Sequence, residues 1–265
     1  MDEIKLMMRT RKIDILCITE TWLLPSIPDA FANILHYNIY RYDKGRGGGT
    51  CIYVRDDFKA TLINLNIHKM EGIDDIWLNI QCRKLPSIIV GSIYRHPHSS
   101  NATFEYLLDS FRAVSLRNKP IFILGDLNDN LLIPNAKLSK IIKSAKLCQL
   151  IDRPTRITPY SSTLLDVIIT NKPEIVIRFD VSLSEIADHD NISVHINISK
   201  PKREPDIKTL RNLENYNQEI FCNSILDQTL NLNMLLNTDD VNKQLEIFNN
   251  VFNKCLMSML RSLPR

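Results

Sequence analysis

No stretch of this chain is apolar over the roughly 18 residues that a membrane-spanning helix requires, and no signal peptide opens it. The expectation is an intracellular protein, nuclear or cytoplasmic, neither secreted nor membrane-bound. The six cysteines form no CxxC pair, and no histidine stands at zinc-ligand spacing from them. Several lie in apolar runs, Cys17 and Cys51 among them, as reduced, buried thiols do. There is no internal repeat and no Walker-type loop. The glycine-dense residues 45–49 precede a strand-like run and not a helix, so they read as a flexible entry loop, not a phosphate cradle. Charge is nearly balanced, with 33 Lys and Arg against 30 Asp and Glu, which does not by itself argue for nucleic acid. Residues 9–12 and 200–203 are local basic clusters, for which a solvated face is the ordinary reading.

What the chain does have is a set of polar residues at the ends of apolar runs. Ile121-Phe122-Ile123-Leu124 reads as a strand buried on both faces, and it stops at Gly125-Asp126-Leu127-Asn128. Gly125 allows a sharp turn. Asp126 and Asn128, two apart, point the same way if the chain is still extended there. A carboxylate and a carboxamide facing one point can orient a water or help hold a hard cation. The same residues equally suit an Asx turn, with both side chains spent on the backbone.

Four other segments repeat the pattern. Residues 13–18 lead into Thr19-Glu20-Thr21-Trp22, and 88–93 into Tyr94-Arg95-His96-Pro97. The run 164–169 carries Asp166 inside an apolar strand, where an unpaired carboxylate would cost several kcal/mol, so Asp166 is expected to have a partner. Ala187-Asp188-His189 precedes an alternating strand at 192–197. Taken singly, Glu20 reads as a surface acid, Tyr94 as an amphipathic core residue and His189 as a loop histidine. Together they are what collects at the strand ends of a layered catalytic fold. Strand-like runs at 13–18, 50–54, 75–80, 88–94, 121–124, 164–170 and 192–198 alternate with helical patterns after Thr103 and from Leu138 to Leu150, predicting a mixed α/β (α+β) layered domain.

The ordered set ITETW (18–22), GGGTCIYV (47–54), GSIYRHP (91–97), FILGDLN (122–128), RPTRIT (153–158), STLLDVIITN (162–171) and ADHDNISVHI (187–196) resembles the endonuclease/exonuclease/phosphatase family. Within it the likeness is to the endonuclease domain of LINE-type non-LTR retrotransposons. The resemblance implies a four-layer α/β/β/α sandwich with two mostly antiparallel sheets, and metal-assisted hydrolysis of a phosphodiester. It implies Mg²⁺ (or Mn²⁺) held chiefly by Glu20, with Asp188 on the metal side. Asp126 would orient or deprotonate the attacking water, Asn128 would help position it, and Tyr94 would donate to a phosphate oxygen. His189 would contact the phosphate or act as base, with its ring held by Asp166. Thr163 would hydrogen-bond in that neighbourhood, and Arg95 and Arg156 would bind substrate. DNA is the implied partner, with a reverse transcriptase C-terminal in the parent element.

Two departures from the family pattern stand out. The family opens with a strand carrying an asparagine, in a stretch resembling NxRSL, whereas Met1 to Leu6 here match the helix after it. The usual SDH triplet is also ADH, with Ala187 in place of the serine. The expected boundary lies in the Pro- and charge-rich residues 199–205, giving a domain at 1–199 and a helical linker or tail at 200–265, resembling the segment before a reverse transcriptase. The tail's two helices are expected at 212–236 and 238–263, the second capped by 238–240. Three readings follow: a DNA-nicking endonuclease, another phosphodiesterase or phosphatase of the same fold, and a catalytically impaired remnant.

Overall fold

The computed structural model describes residues 2–81, 87–197, 217–228 and 233–260. The chain divides into two compact units, Met1–Arg203 and Glu204–Arg265. The expected linker at 199–205 lies outside the described residues.

The larger unit is built around a sheet of order β4-β5-β6-β7-β11-β8. Its strands are β4 (Lys59–Leu62), β5 (Ile73–Gln81), β6 (Ile88–Arg95), β7 (Ile121–Asp126), β8 (Cys148–Gln149) and β11 (Asp166–Thr170). A separate antiparallel hairpin, β9 (Arg156–Thr158) and β10 (Ser161–Thr163), precedes β11, and a short helix α2 spans Asp29–Ala32. All neighbours in the sheet are antiparallel except β6 and β7. That parallel step needs a crossover, and α3 (Ala102–Ser115) supplies it. Burial on both faces explains the nearly continuous apolar runs of β6 and β7.

One face of this sheet packs on α3 and α4 (Lys137–Ser144), through Ile89, Ile93, Ile121 and Ile123 against Leu107, Phe111, Leu138 and Ile142. The other face packs on a second layer. Part of that layer is the sheet β1-β3-β2, with β1 at Ile15–Thr19, β2 at Tyr37–Tyr42 and β3 at Thr50–Arg55. Ile52 and Val54 meet Ile76, Leu78, Ile88 and Val90 there. The outer side of this sheet is covered by α1 (Asp2–Arg11), through Met8 on Cys51 and Tyr53. The rest of the layer is the hairpin β12 (Val176–Ser182) and β13 (Asn191–Ile196), packed on Phe122 and Ile168. The four layers are therefore as expected. The second sheet is in two pieces: among the described residues β1 pairs with β3, and β13 pairs with β12. No described helix is long and apolar enough to cross a membrane.

Sequence periodicity misplaced some boundaries. Asp166 opens β11 and does not lie inside it. The expected cap Thr103 sits within α3, which starts after Asn101. The helix expected from Leu138 to Leu150 ends at Ser144, since Lys146 takes a positive φ of 57° and the chain enters β8. In the smaller unit, α5 (Gln218–Leu226) packs on α6 (Val241–Leu260) through Phe221 and Phe252, whose rings lie 5.5 Å apart. Asp240 caps α6, accepting the Asn242 N–H at 2.9 Å.

Candidate active site

Strand direction gathers the polar residues at one end of the sheets. β6 and β7 are parallel, so Tyr94 and Asp126 sit at matching ends. β11 runs the other way and opens on Asp166, directly across from Asp126 in the ladder. β1 ends at Thr19, one residue before Glu20.

Asp126 is 4% exposed. Its Oδ1 accepts the Asn128 N–H at 2.9 Å, and its Oδ2 accepts from Asn128 Nδ2 at 3.2 Å. Asn128 Nδ2 also donates to the Arg95 carbonyl at 2.8 Å. The Asx turn and the converging carboxylate are thus one arrangement: the turn holds the acid in place. Burial, and then the charges of Asp166 and Glu20, push the Asp126 carboxyl up to about 7, against the opposing pull of the Asn128 N–H and His189.

His189 Nδ1 lies 2.8 Å from Asp166 Oδ2, and the acceptor-only carboxylate makes that nitrogen the donor. Asp166 has the partner its position demanded. This bond raises the His189 pKa, burial opposing it. Asp126, Asp166 and His189 present ligand atoms all within 4.8 Å of one another. Tyr94 is 4% exposed, and its phenol is pushed up by burial first, then by a hydrogen bond with Glu20 and the charges of Glu20, Asp126 and Asp74. Glu20, exposed and at a positive φ of 52°, accepts the Trp22 indole N–H at 3.4 Å. The donor chemistry fits a hard divalent cation. Carboxylates crowd where their like charges repel, and a cation relieves that repulsion.

Four expected residues take other places. Arg95 was expected to bind substrate, but it is 5% exposed and its guanidinium is spent on the fold. It donates to Thr103 Oγ1 at 2.8 Å and to the carbonyls of Leu127, Asn128 and Ser99, and it stacks over Phe104. A buried cation must fill its donors, and two of the acceptors are carbonyls of the loop after β7. Arg156 forks onto Asp188 Oδ2 with bonds of 2.9 and 2.8 Å, which lowers the Asp188 pKa. The two engage each other at the surface, where Asp188 was expected to face a metal and Arg156 a substrate. Thr163 bonds weakly to the Arg156 carbonyl at 3.4 Å. The hydroxyl on Asp166 is that of Thr155, at 2.6 Å, which also accepts the Asp166 N–H. Thr155 was within sight in the RPTRIT motif but unassigned. Asp74, cross-strand from Tyr94 and 1% exposed, was also missed.

Gly125 makes the strand end possible. Its φ is 137°, and a Cβ there would land on the backbone carbonyl of Ile93. Gly125→Ala is expected to lower stability by more than about 2 kcal/mol, since neither the torsion nor the neighbouring strand can give. Urea unfolding measures it, and a loss below about 0.5 kcal/mol would contradict the close packing.

Solved structures share this fold. The endonuclease domain of TRAS1, a telomere-specific non-LTR retrotransposon, is 19% identical with a TM-score of 0.57, over 73% of this chain and 90% of that one. The 3′ phosphatase NExo from Neisseria, bound to a product DNA hairpin, is 13% identical with a TM-score of 0.57, over 74% and 94%. Mannosyl-6-phosphatase Bt3783 of Bacteroides thetaiotaomicron is 16% identical with a TM-score of 0.52, over 74% and 90%. A search of curated proteins gave no match. Residues 1–189 match the model of the Endonuclease/Exonuclease/phosphatase family, and the chain belongs to that family.

Proposed function

We propose that this chain is a divalent-metal-dependent phosphodiester hydrolase that nicks DNA, derived from a non-LTR retrotransposon. The observation that carries the reading is the cluster of Asp126 and Asp166 at adjoining strand ends with His189 from the loop before β13, and Tyr94 and Glu20 beside it. The segment order from ITETW to ADHDNISVHI supports the retrotransposon origin, with 200–265 as linker toward a reverse transcriptase.

Glu20 is the carboxylate that would hold Mg²⁺ or Mn²⁺, with Asp126 and Asp166 close by. When bound, the cation offsets phosphate charge against these acids and polarises the phosphorus–oxygen bonds. The chain's own groups do the rest. Asp126 accepts the proton of the attacking water, and Asn128 fixes the carboxylate's orientation. Tyr94 donates its phenol O–H to a phosphate oxygen; its raised pKa keeps that proton in place. His189, its Nδ1–H bonded to Asp166, presents Nε2–H as imidazolium to the developing negative charge.

The test is conversion of supercoiled plasmid to the nicked circle. Nicking is expected with Mg²⁺ or Mn²⁺ and is expected to stop on adding EDTA. A chain that nicks equally well in EDTA, or that leaves plasmid intact with either cation, would refute the proposal.

A further inference from the structure

Beside Tyr94 lies a second group of charges that the hydrolysis does not use. The buried Asp74 carboxylate accepts the Gly49 N–H at Oδ2, 2.9 Å away. The same Oδ2 lies 2.9 Å from His96 Nε2. An ionised carboxylate only accepts, so Nε2 carries the proton. Yet Lys44 Nζ stands 3.0 Å from that same nitrogen. An ammonium is also only a donor, so the two donors face each other and no hydrogen bond joins them. Lys44 is kept there by charge alone, 3.5 Å from Asp74 Oδ1, an oxygen with no hydrogen-bond partner among the described residues. One buried carboxylate thus anchors an ammonium and an imidazole, and the Lys44 side chain, 38% exposed, keeps its N–H groups for something else.

The group is part of the same wall as the site. The His96 and Tyr94 rings are 4.8 Å apart. The loop carrying Lys44 is bonded to the loop after Glu20, with Trp22 N–H on the Gly48 carbonyl at 3.0 Å and Gly45 N–H on the Leu23 carbonyl at 2.9 Å. Gly48 admits no side chain: a Cβ would fall 2.6 Å from Asp74 Oδ2, 2.9 Å from Lys44 Cδ and 3.1 Å from His96 Cε1. Arg46 adds an exposed cation to the loop.

We infer that Lys44, seated on Asp74 beside His96, binds a backbone phosphate of DNA next to the one that is cleaved. The inference rests on the DNA-hydrolase reading and narrows it. A site with a second phosphate contact favours a polynucleotide over a phosphomonoester, because a lone phosphate leaves Lys44 without its ligand. A compact ammonium on a flexible stem suits a diester oxygen that carries charge but no sequence information.

The experiment titrates a short fluorescent DNA duplex with the full chain in EDTA, following anisotropy over a range of salt, so that binding is read apart from cleavage. Lys44→Met is expected to weaken binding several-fold and to make the slope of log K against log salt shallower by about one. Lys44→Arg is expected to keep the slope. Lys44 is a surface side chain, and the melting temperature of both variants checks that they fold. An unchanged slope in Lys44→Met, or a wild-type chain that does not bind the duplex, would overturn the inference. A chain that binds with a Lys44-dependent slope but never nicks plasmid would leave the phosphate contact standing and remove the hydrolase reading.

Discussion

A chain carrying Asp126→Asn is expected to lose hydrolysis and yet to melt at a higher temperature than the original at about pH 8. The Asp126 carboxyl is buried against Asp166 and Glu20, and its pKa rises from 3.8 to about 7. Between those values the native state holds a proton that the unfolded chain has released, so stability falls as pH climbs through that window. Above about 7 the whole cost is present, on the order of 4 kcal/mol at about 1.4 kcal/mol per unit. Asparagine keeps an oxygen for the Asn128 N–H and carries no charge, but it gives up the acceptor for Asn128 Nδ2, so only part of the cost is recovered. Recovering about half of the cost would raise the melting temperature by about 4–8 °C in a domain of this size. Near pH 4 the gain should vanish, because the native carboxyl is then neutral anyway. Activity should fall at least 100-fold, the usual worth of a positioned base. Equal melting differences at both pH values would show that the carboxyl is not strained by burial, and retained nicking would remove it from the chemistry.

Asp166→Asn is expected to have the second largest effect. The charged hydrogen bond to His189 Nδ1 is the main cause of that ring's raised pKa. With asparagine the His189 pKa should fall, as followed by NMR of the ring protons. Activity should drop about 10²–10⁴-fold, because the imidazole loses both its charge and its fixed orientation. A raised histidine pKa stabilises the fold fully below its unfolded value near 6.5, and the benefit is lost as pH rises through the folded value. The variant should therefore lose stability most below pH 6.5 and least in alkaline solution, unlike Asp126→Asn. A His189 titration that does not move would mean that the 2.8 Å contact is not formed in solution.

The buried strands were legible because burial on both faces leaves an unbroken apolar run, as in β6 and β7. β2, β4 and β12 were missed for the opposite reason. Tyr37–Tyr42 and Val176–Ser182 mix polar and apolar residues without a clean alternation, since each is only partly covered. Acids at strand ends could be read from type and place, and so could Asp166's need for a partner. Which group satisfies a charge could not. Arg95 looked like a loop cation, and only the fold shows that the loop carbonyls surround it. Thr163 and Thr155 differ by hairpin register alone: Thr163 opposes Arg156, which leaves Thr155 to reach Asp166. Asp74 carried the same signal as Asp166, an acid bordering an apolar strand, and it went unread.

Asp126 and Asp166 are direct partners across a ladder between two interior strands. The separation of their backbones is fixed by the spacing across the ladder. Slipping either strand by one residue would turn one acid to the opposite face, so the pair is present in full or not at all. Lys44, Arg156 and Asp188, by contrast, lie outside that sheet, with side chains 38%, 40% and 67% exposed. On the proposed function, substituting Lys44 would alter how DNA is held and leave the Asp126–Asp166 pair in place. A scaffold divided in this way can acquire new substrates by drift in its rim while its reaction chemistry stays constant.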